Sequence, residues 1–149
     1  MMQPLNLPQA QLKIAKKGDQ IVVWCIIRKK HLVLTPEEWV RQHVIHFLIE
    51  QKKVPIGLIN SEHLVQINGQ ARRCDIVVFN TEGKSQLIVE CKATTIPIDE
   101  KTFLQTSNYV QQLQAPYFWM TNGLDHVIAL IELSGISYLN NLPDYSDLK

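Results

Sequence analysis

Two charged residues stand at the end of an apolar segment, where a buried strand would not ordinarily carry them. Residues 86–93, QLIVECKA, have the composition of an inner strand up to Glu90 and Lys92. The preceding apolar segment, residues 73–80, carries one more acid, Asp75. Burying any of these charges without a partner costs several kcal/mol. Their presence therefore predicts a site that uses the three charges together.

The spacing of these residues favours metal-assisted chemistry. Side chains alternate between the faces of a strand, so Glu90 shares a face with Lys92, and Asp75 with Arg73 and Val77. If the turn at TEGK sets Asp75 beside Glu90, two carboxylates and an amine converge. Mg²⁺ and Mn²⁺ accept such oxygen ligands and keep waters for a phosphate, and Lys92 is then placed to activate the attacking water. The simpler alternative is a Glu–Lys pair and an isolated aspartate.

A helix start precedes these strands. Thr35 suits the N-cap, Pro36 suits the first helical position, and Glu38 at the third completes a capping box. Apolar residues at helical spacing then predict a helix of about 15 residues, ending near Gln51. This helix would bring its first-turn carboxylates to the sheet.

Glu37 is a candidate for joining the metal site. At 100° per residue it lies within about 20° of the buried stripe at Val44, whereas Glu38 lies near 120° from that stripe. Arg41, one turn later, is placed to pair with Glu37. The alternative is that Glu37 is only a first-turn acid favoured by the helix dipole.

A second helix, residues 99–114, is expected after the QLIVECKA strand. Gln105 and Tyr109 are four residues apart and share one of its faces. That pair could brace Lys92 or touch the backbone of a nucleic acid. The alternative is an ordinary polar helix face.

The remaining pattern indicates an α/β fold with a mixed sheet. Gly18 and Asp19 mark the turn of an N-terminal β-hairpin. Segments 58–67, 73–80 and 86–93 follow one another through tight turns, so they are expected to be antiparallel neighbours. The crossover through the second helix makes strand 116–121 parallel to strand 86–93, and DHVIALIEL predicts a further strand. The resulting core order is αβββαβ.

Composition sets the broad class. The 149 residues suit a single domain, with 1–10 and 142–149 expected as loose tails. The net charge of +1 neither favours nor excludes binding of nucleic acid. No apolar run reaches the roughly 18 residues of a membrane span, and no signal sequence begins the chain, so a cytoplasmic protein without a membrane partner is expected. Three cysteines without CxxC spacing are expected to be reduced: Cys25, Cys74 and Cys91.

Three segments together resemble a known nuclease signature. RCDIVVFN, LIVECKA and QTSNY are similar to the PD-(D/E)xK motif with its Q-x-x-x-Y extension, and residues 26–50 resemble the N-terminal nuclease region of type I restriction enzyme R subunits. The resemblance spans residues 24–124. It implies a restriction-endonuclease-like fold and Mg²⁺-dependent (or Mn²⁺-dependent) cleavage of DNA. Cys74 replaces the usual proline of the motif, a substitution common in such nucleases.

The resemblance also implies roles for individual residues. Asp75 and Glu90 would hold the metal together with the backbone carbonyl of Cys91, and Lys92 would orient the water. The helix glutamate would be Glu37 or Glu38, and Gln105 with Tyr109 the extension. With the net charge near zero, affinity for nucleic acid is expected from local basic residues, namely Lys29, Lys30, Arg41 and Arg73.

Two further readings stay open. One is a catalytically inactive module of the same fold that binds DNA or a partner protein, although a retired site has no reason to keep its charged residues together. The other is a homodimer, compatible with either activity. The chain has no G-x-x-x-x-G-K-[ST] phosphate loop, so any motor or specificity function is expected from a separate subunit.

Overall fold

The computed structural model describes residues 2–148, which form two β-sheets and two α-helices. The first sheet is antiparallel and contains β1 (Ile14–Lys17), β2 (Gln20–Cys25) and β3 (Lys30–Val33). The helices are α1 (Pro36–Glu50) and α2 (Glu100–Gln112), and short 3₁₀ turns cover Ile56–Leu58 and Tyr145–Asp147. The second sheet has six strands in chain order, namely β4 (Ile59–Ile67), β5 (Gln70–Phe79), β6 (Ser85–Cys91), β7 (Tyr117–Thr121), β8 (His126–Glu132) and β9 (Gly135–Leu139).

The predicted topology of the large sheet is confirmed. Strands β4, β5 and β6 are consecutive antiparallel neighbours, and β7 lies parallel to β6 after the α2 crossover. Asn68 and Gly69 both have positive φ, at 52° and 77°, so the β4–β5 turn suits the right-handed twist of its strands. The mixed α/β class follows. Strand β9 was not predicted from the sequence.

Helix α1 begins as its cap residues indicate, but only half of the capping box forms. The Thr35 side chain accepts a hydrogen bond from the backbone N–H of Glu38 at 3.0 Å. The Glu38 carboxylate does not reach back to the cap. It instead accepts from Arg41 and Gln42, and the Thr35 N–H donates to the carbonyl of Val33. The prediction of a reciprocal box is therefore wrong, because Glu38 has stronger partners within the helix.

Two apolar layers enclose the large sheet, one under each helix. The layer under α1 includes Val44 and Leu48 of the helix and Val89 of β6. The layer under α2 includes Phe103 and Val110. Because β6 contributes to both layers, it is a central strand, and charged residues at its end sit between the two helices.

The alternation of side chains between the two faces of the sheet is interrupted in the middle of the β4–β5 hairpin. On β5, Ile76 packs under α1 and Val77 under α2, as alternation requires, but Cys74 also packs under α2. Position 75 is therefore where the strand rotates. The prediction that Asp75 shares a face with Val77 is wrong, because the Asp75 carboxylate bonds Arg41 of α1.

Both ends of the described chain pack on the body, unlike the loose tails expected. Asn6 bonds the backbone of Gly123 and Leu124, and Leu142 is buried. Residues 1 and 149, which belong to those expected tails, lie outside the described residues. Within residues 2–148, neither α-helix is long and apolar enough to cross a membrane.

Candidate active site

The three predicted residues meet where the β5–β6 ladder ends. The last registered pair is Ile76 with Val89, and one more step along that register sets Asp75 opposite Glu90, as predicted. Oδ2 of Asp75 accepts a hydrogen bond from the backbone N–H of Cys91 at 2.8 Å. The Asp75 carboxylate thus accepts the hydrogen bond that a backbone carbonyl would have accepted if the pairing of β5 with β6 continued. This bond fixes Asp75 at the end of the two strands.

A buried arginine gathers carboxylates on the α1 side. Arg41 is only 4% exposed. Its Nη2 donates to Glu37 at 2.9 Å and to Asp75 Oδ1 at 3.1 Å, and its Nη1 donates to Glu38 at 2.8 Å and to Glu62 at 3.4 Å. Burial opposes the positive charge, but Asp75 and Glu38 outweigh it, so the pKa of Arg41 lies above its ordinary value. We call these five residues the Arg41 cluster.

Glu62 was missed by the sequence reasoning. It lies opposite Asp75, between the registered pairs Ser61–Ile76 and His63–Cys74. Its φ of 56° is left-handed, uncommon for a residue with a Cβ, and the rotation directs its carboxylate to Arg41 and also to Arg28, with which it forms an ion pair. The polar run NSEH inside an otherwise strand-like segment is the signal that could have indicated it.

The α2 side holds Glu90 with much less positive charge around it. Tyr109, which is 5% exposed, donates its hydroxyl to Glu90 Oε2 at 3.4 Å. Burial raises the pKa of Glu90 to about 8, and the adjoining carboxyl of Asp75 adds to the rise, while Lys92 opposes it. Glu90 therefore favours its protonated form beside the Asp75 carboxyl, and a cation could take the place of that proton.

Lys92 lies directly after β6, and Gln105 lies on the surface of α2. Lys92 follows the last residue of β6, and its backbone N–H donates to Thr121. Within residues 2–148 its amine forms no ion pair. Gln105 is exposed on α2. Tyr109 thus contacts Glu90, whereas the Gln105–Tyr109 pair was predicted to brace Lys92 or to touch the backbone of a nucleic acid.

The two helix glutamates differ in burial, in the reverse of the predicted order. The Glu38 side chain is 8% exposed and that of Glu37 is 47% exposed. The stripe argument failed because α1 is buried at six successive positions, from Val40 to Ile45, not along one line. Burial and Asp75 raise the pKa of Glu37. The predicted Glu37–Arg41 pair is present.

The predicted basic residues do not form one patch. Lys29 and Lys30 are exposed in and beside β3, and Arg73 is exposed on β5. Arg41, in contrast, is enclosed by carboxylates, so the structure does not present it to a nucleic acid as the sequence reasoning expected.

A family model described as type I restriction enzyme R protein N terminus (HSDR_N) matches residues 36–143, most of the chain. This chain belongs to that family. A solved fragment described as an HsdR subunit of a type I restriction enzyme from Vibrio vulnificus YJ016 has a similar fold, with a TM-score of 0.55 at 18% identity. The similarity covers 77% of this chain but only 24% of the Vibrio chain. No curated protein sequence matches this chain significantly.

The HSDR_N region contains both the carboxylate pair, Asp75 and Glu90, and the Arg41 cluster. Arg28, Lys29 and Lys30 precede it. Within the described part of the chain, no group of three or more His, Cys, Asp or Glu side chains is arranged to hold a metal ion. Two adjacent, partly buried acids, of which Glu90 has a raised pKa, nevertheless suit a divalent cation, since carboxylate oxygens are its preferred ligands. Asp75 and Glu90 therefore fit as side-chain ligands, leaving further positions to backbone, water or substrate.

Proposed function

We propose that this HSDR_N domain is a PD-(D/E)xK nuclease that hydrolyses DNA phosphodiester bonds with a bound Mg²⁺ or Mn²⁺ ion. The observation that supports it is the meeting of the Asp75 and Glu90 carboxyls at the ends of two adjacent strands, with Lys92 directly after the second strand. The order α1, β4–β6, α2, β7 has the predicted αβββαβ sequence, which supports a restriction-endonuclease-like core.

In this proposal, Asp75, Glu90 and the backbone carbonyl of Cys91 hold the ion. When bound, the ion supplies positive charge to the phosphate oxygens and acidifies a water molecule. Arg41 fixes Asp75 from the α1 side, and the Tyr109 hydroxyl orients Glu90. The Lys92 amine, which forms no ion pair within residues 2–148, orients the attacking water and stabilises charge developing on the phosphate.

The family and the Vibrio fragment also support a setting for this activity. We propose that the domain acts on DNA together with other subunits of a restriction-modification enzyme, because both similarities are to R proteins. The chain spans about a quarter of the length of the Vibrio chain, so the activity proposed for this domain is limited to DNA cleavage. Pairing of two copies would allow cleavage of both DNA strands.

One observation favours a second candidate, a nuclease-fold module that binds DNA or a protein without cutting. Both carboxylate oxygens of Asp75 already accept protein donors, one from Arg41 and one from the Cys91 N–H. A metal ion would have to share those oxygens. In the inert module, the Arg41 guanidinium would serve permanently as the cation of the site.

Cleavage assays and calorimetry separate the two candidates. Purified protein is incubated with linear, circular and branched DNA in Mg²⁺ or EDTA, and we expect nicking or cutting only in Mg²⁺. Lys92→Ala should reduce the rate by about 10²–10⁴-fold, since it removes a group that positions the nucleophile. Lys84→Ala is the matched control, because Lys84 is exposed in the β5–β6 turn.

The metal is tested separately by titrating Mn²⁺ into the wild type and Asp75→Asn. The nuclease predicts binding that Asp75→Asn weakens at least tenfold. No binding, or binding unchanged in Asp75→Asn, supports the inert module. Full cleavage by both Lys92→Ala and Asp75→Asn would exclude this site as the active site.

A further inference from the structure

The guanidinium of Arg72, which is not among the predicted site residues, stacks on the ring of the predicted residue Tyr109. Arg72 lies on β5, three residues before Asp75, with its guanidinium carbon 4.1 Å from the centroid of the Tyr109 ring. The hydroxyl of the same ring donates to Glu90. One aromatic side chain therefore connects Arg72 to the carboxylate pair.

The stacked geometry leaves the donors of Arg72 free. A guanidinium that stacks on a ring uses its flat face, while its N–H groups point outward in the guanidinium plane. Arg72 is exposed, and among residues 2–148 it forms no ion pair. Tyr109 is buried and held by Glu90, so its ring is a rigid support. A rigid guanidinium with free in-plane donors is suited to bidentate binding of a phosphate.

We infer that Arg72 binds a backbone phosphate of the nucleic acid, next to the phosphate that is cleaved, with the Tyr109 ring as its platform. The ligand class rests on the proposed function, whereas the platform rests on the contact itself. Tyr109 then has two separable uses, its hydroxyl for Glu90 and its ring for Arg72.

Arg73 provides the natural comparison. It carries the same charge on the adjacent residue, is also exposed, and lies opposite Leu64 in the β4–β5 register. It has no aromatic support within the described residues. Because neighbouring strand residues point to opposite faces, Arg73 is directed away from the Tyr109 side.

Binding is measured by fluorescence anisotropy with a labelled DNA duplex in EDTA, over a series of NaCl concentrations. We expect Arg72→Gln to weaken binding about tenfold and to reduce the salt slope by about one counterion. Arg73→Gln should have a clearly smaller effect. Arg72→Lys should keep the salt slope but lose affinity, because an ammonium cannot reproduce the stacked bidentate geometry.

Variants of the ring test the platform. Tyr109→Phe keeps the ring and should retain DNA binding in EDTA, while Tyr109→Leu should weaken binding as much as Arg72→Gln. The double variant Arg72→Gln/Tyr109→Leu should bind no worse than either single one, since both remove the same contact. Circular dichroism checks that Tyr109→Leu is folded, and Arg72→Lys tests the inference independently of that variant.

Equal losses in Arg72→Gln and Arg73→Gln, an additive double variant, or no DNA binding by the wild type would overturn the inference. The proposed function can fail separately. If the wild type binds but does not cleave and Arg72→Gln still weakens binding, the nuclease is wrong and the phosphate site stands. If cleavage occurs and Arg72→Gln binds normally, only the phosphate site is wrong.

Discussion

The carboxyl groups on the two sides of Asp75 are stabilised differently. On the α1 side, each carboxylate of the Arg41 cluster contacts the buried guanidinium, and Glu62 has Arg28 as a second partner. On the α2 side, Glu90 has a tyrosine hydroxyl and a neighbouring acid, so its pKa rises to about 8.

This difference gives the two sides different roles in the proposed function. The α1 side holds Asp75 in place, and the α2 side is where a cation is expected to bind. The Arg41 cluster and Arg28 together place two guanidiniums among four carboxylates, and these direct ion pairs hold Asp75 in place without any ligand. Among residues 2–148, Glu90 forms no ion pair, and a cation bound there would replace the proton that its raised pKa favours. The same aspartate thus belongs to a structural cluster through Oδ1 and faces a site with unmet charge on the other side.

Among the tests of this comparison, removal of the Arg41 guanidinium should have the largest effect on stability. Arg41→Leu leaves Glu38 buried without its cation, so we expect the free energy of unfolding to fall by about 3–5 kcal/mol. Urea unfolding followed by circular dichroism measures it. Arg73→Leu is the matched control, since Arg73 is exposed and should change stability by less than about 0.5 kcal/mol. A loss below about 1 kcal/mol in Arg41→Leu would show that the cluster does not support the fold.

The Glu90 side predicts a pH effect of intermediate size. The folded protein keeps a proton on Glu90 up to about pH 8, whereas the unfolded chain releases it near the ordinary value of 4.5. The folded state therefore binds more protons in this range, and the stability of metal-free protein falls as pH rises from about 4.5 to about 8, by at most about 1.4 kcal/mol per pH unit for one proton.

Glu90→Gln should flatten that fall, because glutamine has no proton to release. Urea titrations at several pH values in EDTA provide the measurement. Glu132→Gln, at an exposed strand end, should leave the pH profile as in the wild type. An unchanged slope in Glu90→Gln would mean that Glu90 is already ionised at neutral pH, and the contrast between the two sides would disappear.

The smallest expected effect lies within the Arg41 cluster and ranks the helix glutamates. Glu38→Gln alters a buried charged contact and should cost about 1.5–3 kcal/mol, whereas Glu37→Gln alters a half-exposed one and should cost less than about 1 kcal/mol. Thermal or urea unfolding of both variants gives the order. The reverse order would support the original stripe argument for Glu37.

Local signals in the sequence were sufficient for much of the fold. Thr35 and Pro36 marked the start of α1, Asn68-Gly69 marked a hairpin, and the α2 crossover implied the parallel strand. These features depend on a few adjacent residues. The pairing of Asp75 with Glu90 also followed, because one turn sets the register of two neighbouring strands.

The surroundings of the site could not be predicted in the same way. Strand alternation placed Asp75 on the face of Val77, but the ribbon rotates at Asp75 and Glu62, and no short motif encodes that rotation. The burial of Glu38 depends on contacts around most of α1, which a single apolar stripe does not represent. Glu62 enters the site only through its left-handed backbone.

The hydrogen bond between Asp75 and the Cys91 amide links the proposed active site to the pairing of strands β5 and β6. Because a carboxylate closes the last rung between β5 and β6, loosening of these strand ends and release of the aspartate are a single motion. Substitutions of Asp75 are therefore expected to let the strand ends fray, and amide exchange at Cys91 measures how firmly Asp75 is held between them.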